Sequence, residues 1–306
     1  MHAINVKRLI IILSIQGLLI CGLLALHIAF SFPRATIEGV DLVALPGEEA
    51  VLRCIVALDP PGPRRARGDG VEVAFFEARR RGDAIAPAGG VPLGVARAAA
   101  GGVASLPWKA PRDVAAVTEI LPVIDGEGEV ACPPLVPRPF IAAHTMSQGT
   151  LLVLCDVEAL LAPQARWDAL DMSSPAKWPL DPDAASALAK LVQGSGRQII
   201  YVAPGTSLLT AEVRAALHAS RFPQGPILFP EAPPDPQSQA ACVAAIHAKW
   251  PYTKCGIVRR AAFAEALAAA DLPAVAVGIA PAGLPALKKL HVAGAWRDVP
   301  ALAASL

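Results

Sequence analysis

Two carboxylates, Asp156 and Glu158, follow directly on the run Leu151-Leu152-Val153-Leu154-Cys155, which is apolar without interruption, as a strand buried on both faces should be. In open parallel sheets, ligands bind beyond the carboxyl ends of the strands, so this is where chemistry is sought. Other chemistries lack their residues. The chain has no G-x-S-x-G turn, no GxxxxGK[ST] phosphate loop, no C-x-x-C and no H-E-x-x-H. His144, His218, His247 and His291 show no ligand spacing and read as surface or core histidines.

The elements that must position the acid pair begin at Thr150, where the pattern alternates between strand and helix. After the first strand, Leu151–Cys155, a helix is expected over Asp183–Val192, opened by an acidic cap and stopped at Gly194. Then come strand Gln198–Ala203, helix Leu208–Ala219 capped by Thr206 or Ser207, strand Pro226–Phe229 and helix Ser238–Ala248. Strand Cys255–Val258, helix Arg260–Ala270 and strand Ala274–Gly278 complete the series. Five strands with intervening helices imply an α/β three-layer, Rossmann-like open parallel sheet over residues 150–306. Trp167 and Trp178 lie in a Pro-rich insert after the first strand. They are read as packing that insert onto the domain, with a small cap over the site as the alternative.

Residues 35–137 carry short apolar runs separated by Gly/Pro clusters, the pattern of an all-β immunoglobulin-like sandwich. The expected strands are Val40–Leu45, Ala50–Leu58, Val71–Ala78, Val91–Ala96, Gly102–Trp108 and Val114–Val123, with Asp59–Gly70 and Arg79–Gly90 as loops. The arginines at 64, 65, 67 and 79–81 read as solvated loop residues. Cys54 and Cys132 leave open whether they bridge or stay free thiols. The segment Pro133–Pro139 (PPLVPRP) starts a stiff connection, and residues 138–149 are taken as the linker between the domains.

Ahead of both lies Leu9–Phe32, an uncharged apolar stretch preceded by Lys7 and Arg8. As a helix it would be about 36 Å long, enough to cross a hydrocarbon core of roughly 30 Å. Residues 1–34 are therefore expected to form a cytoplasmic stub and a transmembrane helix. The basic flank places the N-terminus in the cytoplasm and the bulk of the chain in the periplasm or outside the cell. A cleaved signal peptide ending near Ala29-Phe30-Ser31 is the alternative. The whole chain of 306 residues has a formal charge of +1, is 54% hydrophobic and is 17% charged. That composition excludes a disordered chain, and the near-neutral body argues against a nucleic-acid partner.

Family resemblances enter at particular residues. Gly94-Val95-Ala96-Arg97 through Gly101-Gly102-Val103-Ala104-Ser105-Leu106-Pro107-Trp108 resembles a hairpin of bacterial immunoglobulin-like domains. Cys155-Asp156-Val157-Glu158 resembles the D-x-D signature of the haloacid dehalogenase superfamily. Ile199–Thr206 through Phe222–Leu228, and Gly256–Phe263 through Leu272–Gly278, resemble the later motifs of its lipin-like phosphatases. The resemblance implies that Asp156 is the nucleophile that attacks phosphorus and Glu158 the acid/base. Ala203 stands where the family has its phosphate-binding hydroxyl, leaving Thr206 and Ser207 as the substrate-binding candidates. Arg259 and Phe263 occupy the positions of two metal-site aspartates.

A guanidinium in place of a carboxylate reverses the local charge and competes with a magnesium ion for Asp156. The sequence therefore predicts a catalytically degenerate domain without a cofactor, acting in binding or scaffolding at the cell envelope with an envelope protein as partner. The alternative is an active phosphoric monoester hydrolase. It would hold Mg²⁺ on Asp156, with Asp168, Asp171 or Glu231 as an unorthodox further ligand.

Overall fold

The computed structural model describes residues 34–59, 66–81, 84–113, 117–124, 140–230, 236–278 and 287–306. The N-terminal half is built from β1 (Arg34–Val40), β2 (Leu42–Ala44), β3 (Glu49–Asp59), β4 (Ala66–Arg67), β5 (Glu72–Arg81), β6 (Ala84–Pro87), β7 (Gly94–Arg97), β8 (Val103–Lys109), β9 (Val117–Ile124) and β10 (Ile141–Thr145). Strand β3 shows the period of two that drives such a layer: Leu52, Cys54 and Val56 are buried while Val51 and Arg53 are exposed. One sheet has β3 between β1 on one side and β4 and β8 on the other, all antiparallel. The second runs β2-β10-β9-β5-β6, with β7 also on β5. Their inner faces share one core in which Leu52, Val56, Val73, Phe75, Ile120 and Ile141 interlock.

The C-terminal half contains β11 (Leu152–Asp156), α1 (Pro182–Ser195), β12 (Gln198–Val202), α2 (Thr210–Ala219), β13 (Ile227–Leu228), α3 (Pro236–Lys249), β14 (Thr253–Val258), α4 (Ala261–Ala269), β15 (Ala274–Val277), β16 (Leu290–Ala293) and α5 (Val299–Ser305). Its sheet has the order β13-β12-β11-β14-β15-β16, every pair parallel. All five residues of β11 are buried because helices cover both faces. Val153 and Cys155 face the core under α1, α2 and α5, while Leu152 and Leu154 face the core under α3 and α4. The strand order reverses direction at β11, the first strand of the sheet in chain order. Its carboxyl end thus opens at the switch point of the topology.

The fold class expected from the sequence needs correction. Among the described residues no helix is long and apolar enough to cross a membrane; the longest, α1 and α3, have 14 residues each. The single-pass membrane placement is withdrawn on that finding, and residues 9–32 themselves lie outside the described residues. The β-rich half is not a sandwich of purely antiparallel sheets. Its chain leaves the first sheet at Asp41 and continues as β2 in the second, where it pairs in parallel with β10. Strand β10 falls within the stretch read as linker; its five residues are all buried, so it is part of the second sheet. The loop expected over 79–90 contains β6, paired with the end of β5. The parallel sheet has six strands, because Leu290–Ala293 adds an edge strand on β15. Cys132, Glu231 and Pro133–Pro139 lie outside the described residues.

Candidate functional site

The carboxylate of Asp156 has no solvent exposure. Burying a carboxylate is costly unless its charge and lone pairs are met, and here they are. Oδ1 accepts the amide N–H of Glu158 at 3.1 Å, which also caps the short turn Val157–Leu160. Oδ2 accepts the amides of Arg259 at 3.4 Å and Arg260 at 3.2 Å. The Arg260 side chain closes the remaining space: Nε stands 2.9 Å from Oδ1 and 3.0 Å from Oδ2. Its Nη2 adds an ion-pair contact of 2.9 Å to Oδ1, but without the alignment of a hydrogen bond. At about 3 Å and an effective dielectric of 20, such a pair is worth roughly 5 kcal/mol before desolvation. The guanidinium lies 5.8 Å from the ring centroid of the buried Phe263, at the outer limit of a cation–π contact.

The charge reversal expected at Arg259 is thus made by its neighbour. The Arg259 guanidinium turns to the carbonyls after the first strand. Nη1 donates to Leu161 and Ala162 at 3.1 Å each and to Glu158 at 3.5 Å, and Nη2 donates to the Pro163 carbonyl. Arg260 was missed because motif spacing points to 259. The readable signal was its place at the N-cap of α4, where the chain turns from β14 back over the strand ends. Glu158 is half-buried, with Oε2 3.8 Å from Arg260 Nε. Burial, reinforced by the Asp156 charge and opposed by the two arginines, pushes its carboxyl above the ordinary range.

Other predicted positions stand apart from the acid pair. Thr206 is exposed, and its hydroxyl accepts the Leu208 amide at 3.3 Å, capping the turn before α2. The Ser207 carbonyl accepts the Thr210 hydroxyl in the same turn. Asp168 is held by Arg166 at 2.8 and 3.1 Å, and Asp171 accepts the Ser173 amide and hydroxyl. The insert carrying these acids closes on itself through a bridge between Leu161 and Leu180. Trp167 and Trp178 meet edge to face at 5.6 Å and pack against the core under α1. Trp167 also lies beside Gly205, its Nε1 3.7 Å from where a Cβ would stand. The indole therefore covers the loop that follows β12.

A magnesium ion, which the resemblance would bring in, does not fit these residues. Its nearest carboxylate is saturated by a guanidinium and three amides, and among the described residues no three His, Cys, Asp or Glu side chains group to hold a metal. In comparison with known proteins, the chain matches no family model and no curated protein.

Proposed function

We propose that residues 150–306 form a catalytically degenerate haloacid dehalogenase-like domain that works in binding or scaffolding rather than phosphate-ester hydrolysis. The observation that carries this reading is the occupancy of Asp156. A nucleophilic carboxylate needs a lone pair aimed at open space, yet both its oxygens are engaged by Arg260 and by main-chain amides. The order of the parallel strands, with Asp156 at the switch point, supports the family resemblance that the motifs suggested. The Thr206 hydroxyl is engaged in capping the turn before α2, which supports the loss of a phosphate site there.

The test is an assay of the purified full chain on a generic phosphate monoester, with and without Mg²⁺. The expected result is no magnesium-dependent turnover and no change in Asp156→Asn. Turnover that requires magnesium and disappears in Asp156→Asn overturns the proposal.

A further inference from the structure

A cleft of about 200 Å³ lies beside the closed acid, beyond the carboxyl ends of β15 and β16. Its floor is the buried Trp296, and Gly278 and Gly294 keep its rim free of side chains. Three charged groups line it: Arg259, Asp181 and Asp183. Among the described residues none of them forms an ion pair, with one another or with any other side chain. They are nonetheless held in place. Four carbonyls of residues 158–163 pin the Arg259 guanidinium, and Asp181 is fixed by the Asp183 amide at 2.9 Å. Opposite charges that share one cleft but stay separated form a preorganised site for a ligand bearing both signs.

We propose that this cleft binds a small zwitterion, a free amino acid with one carboxylate and two ammonium groups. Its carboxylate pairs with Arg259, its ammonium groups face Asp181 and Asp183, and its methylene chain lies on Trp296. The charge count matches: one cation and two anions in the cleft against two cations and one anion in the ligand. The inference rests on the binding role proposed above and gives that role a ligand class.

Calorimetric titration of the full chain with L-lysine tests it, with cadaverine lacking the carboxylate, 6-aminohexanoate lacking one amine, and hexanoate lacking both. Lysine is expected to bind saturably, the two single-deletion compounds more weakly, and hexanoate not at all. Asp183→Asn, at an exposed position, and Arg259→Gln are each expected to weaken lysine binding about tenfold, the scale of one charge-assisted contact. No saturable lysine binding overturns the proposal, as does hexanoate binding equal to lysine or undiminished affinity in both variants. The turnover assay reports on Asp156 and this titration on the cleft, so the two readings fail separately.

Discussion

Two buried aspartates in this molecule are neutralised in the same way and serve different ends. Asp41 and Asp156 each receive an arginine side chain together with main-chain amides. The donors to Asp41 come from far apart in the chain: Ala142 of β10 at 2.9 Å, Ile227 of β13 at 3.0 Å, and the Arg214 side chain of α2. Arg214 in turn lies 4.1 Å from the Phe140 ring centroid and donates to the Phe140 carbonyl. That carboxylate fastens the β-rich half to the parallel sheet. The donors to Asp156 belong to its own turn and to the turn between β14 and α4; β14 is the strand next to β11, so this cluster stays within the parallel sheet. One cluster is a fastener between layers; the other is a plug at the carboxyl end of a parallel strand, where ligands of such sheets bind.

The largest effect is expected at the fastener. Asp41→Ala strands the Arg214 charge and two amides in a buried junction, and should cost about 3–5 kcal/mol of unfolding free energy in urea denaturation. A loss below about 1 kcal/mol would show that the carboxylate does not hold the halves together. At the plug, a double-mutant cycle of Asp156→Ala and Arg260→Ala should return a coupling of about 1–3 kcal/mol, smaller because the three amides remain. Additive single effects would deny the pairing.

The smallest effect is a pH slope at the same junction. Glu38 accepts the Ala211 amide at 2.7 Å at the start of α2. Burial first, then the Glu212 charge, raises its carboxyl to about 8 from an ordinary 4.5, against the pull of that amide and of Arg214. Folding therefore takes up a proton, and the stability Glu38 contributes is complete below about 4.5 and lost as pH rises through about 8. His144, lowered to about 4 by burial and by Arg214, acts at the opposite end: its contribution is complete above 6.5 and lost as pH falls through about 4. Between pH 6.5 and 8 only Glu38 of these two titrates. The slope there should reach at most about 1.4 kcal/mol per pH unit and should flatten in Glu38→Gln. An unchanged slope in that variant would place the titration elsewhere.

What the sequence disclosed follows from how strongly each pattern depends on burial. The run ending at Cys155 was readable as a strand because helices on both faces demand unbroken apolarity. Leu290–Ala293 was not, because an edge strand keeps Val292 exposed and Leu290 and His291 half-covered. The turn from one sheet to the other at Asp41 was hidden as well. A run such as Val40–Leu45 looks like one strand until Arg214 and Ile227, some 170–190 residues later, supply partners for its single acid. At the site, Asp156 and Glu158 were legible from their place after the strand. The identity of the pairing arginine was not, since the two adjacent guanidinium groups take different partners, Arg259 the carbonyls after β11 and Arg260 the carboxylate, and residue type does not distinguish them.

The three amides on Asp156 have a consequence for how such a site changes over generations. Glu158, Arg259 and Arg260 donate through their main chain, so the aim of the carboxylate survives any non-proline replacement at these positions. What fills the space in front of it is one side chain, which a single codon exchanges. The orientation is set by the backbone, while the obstruction is set by the Arg260 side chain.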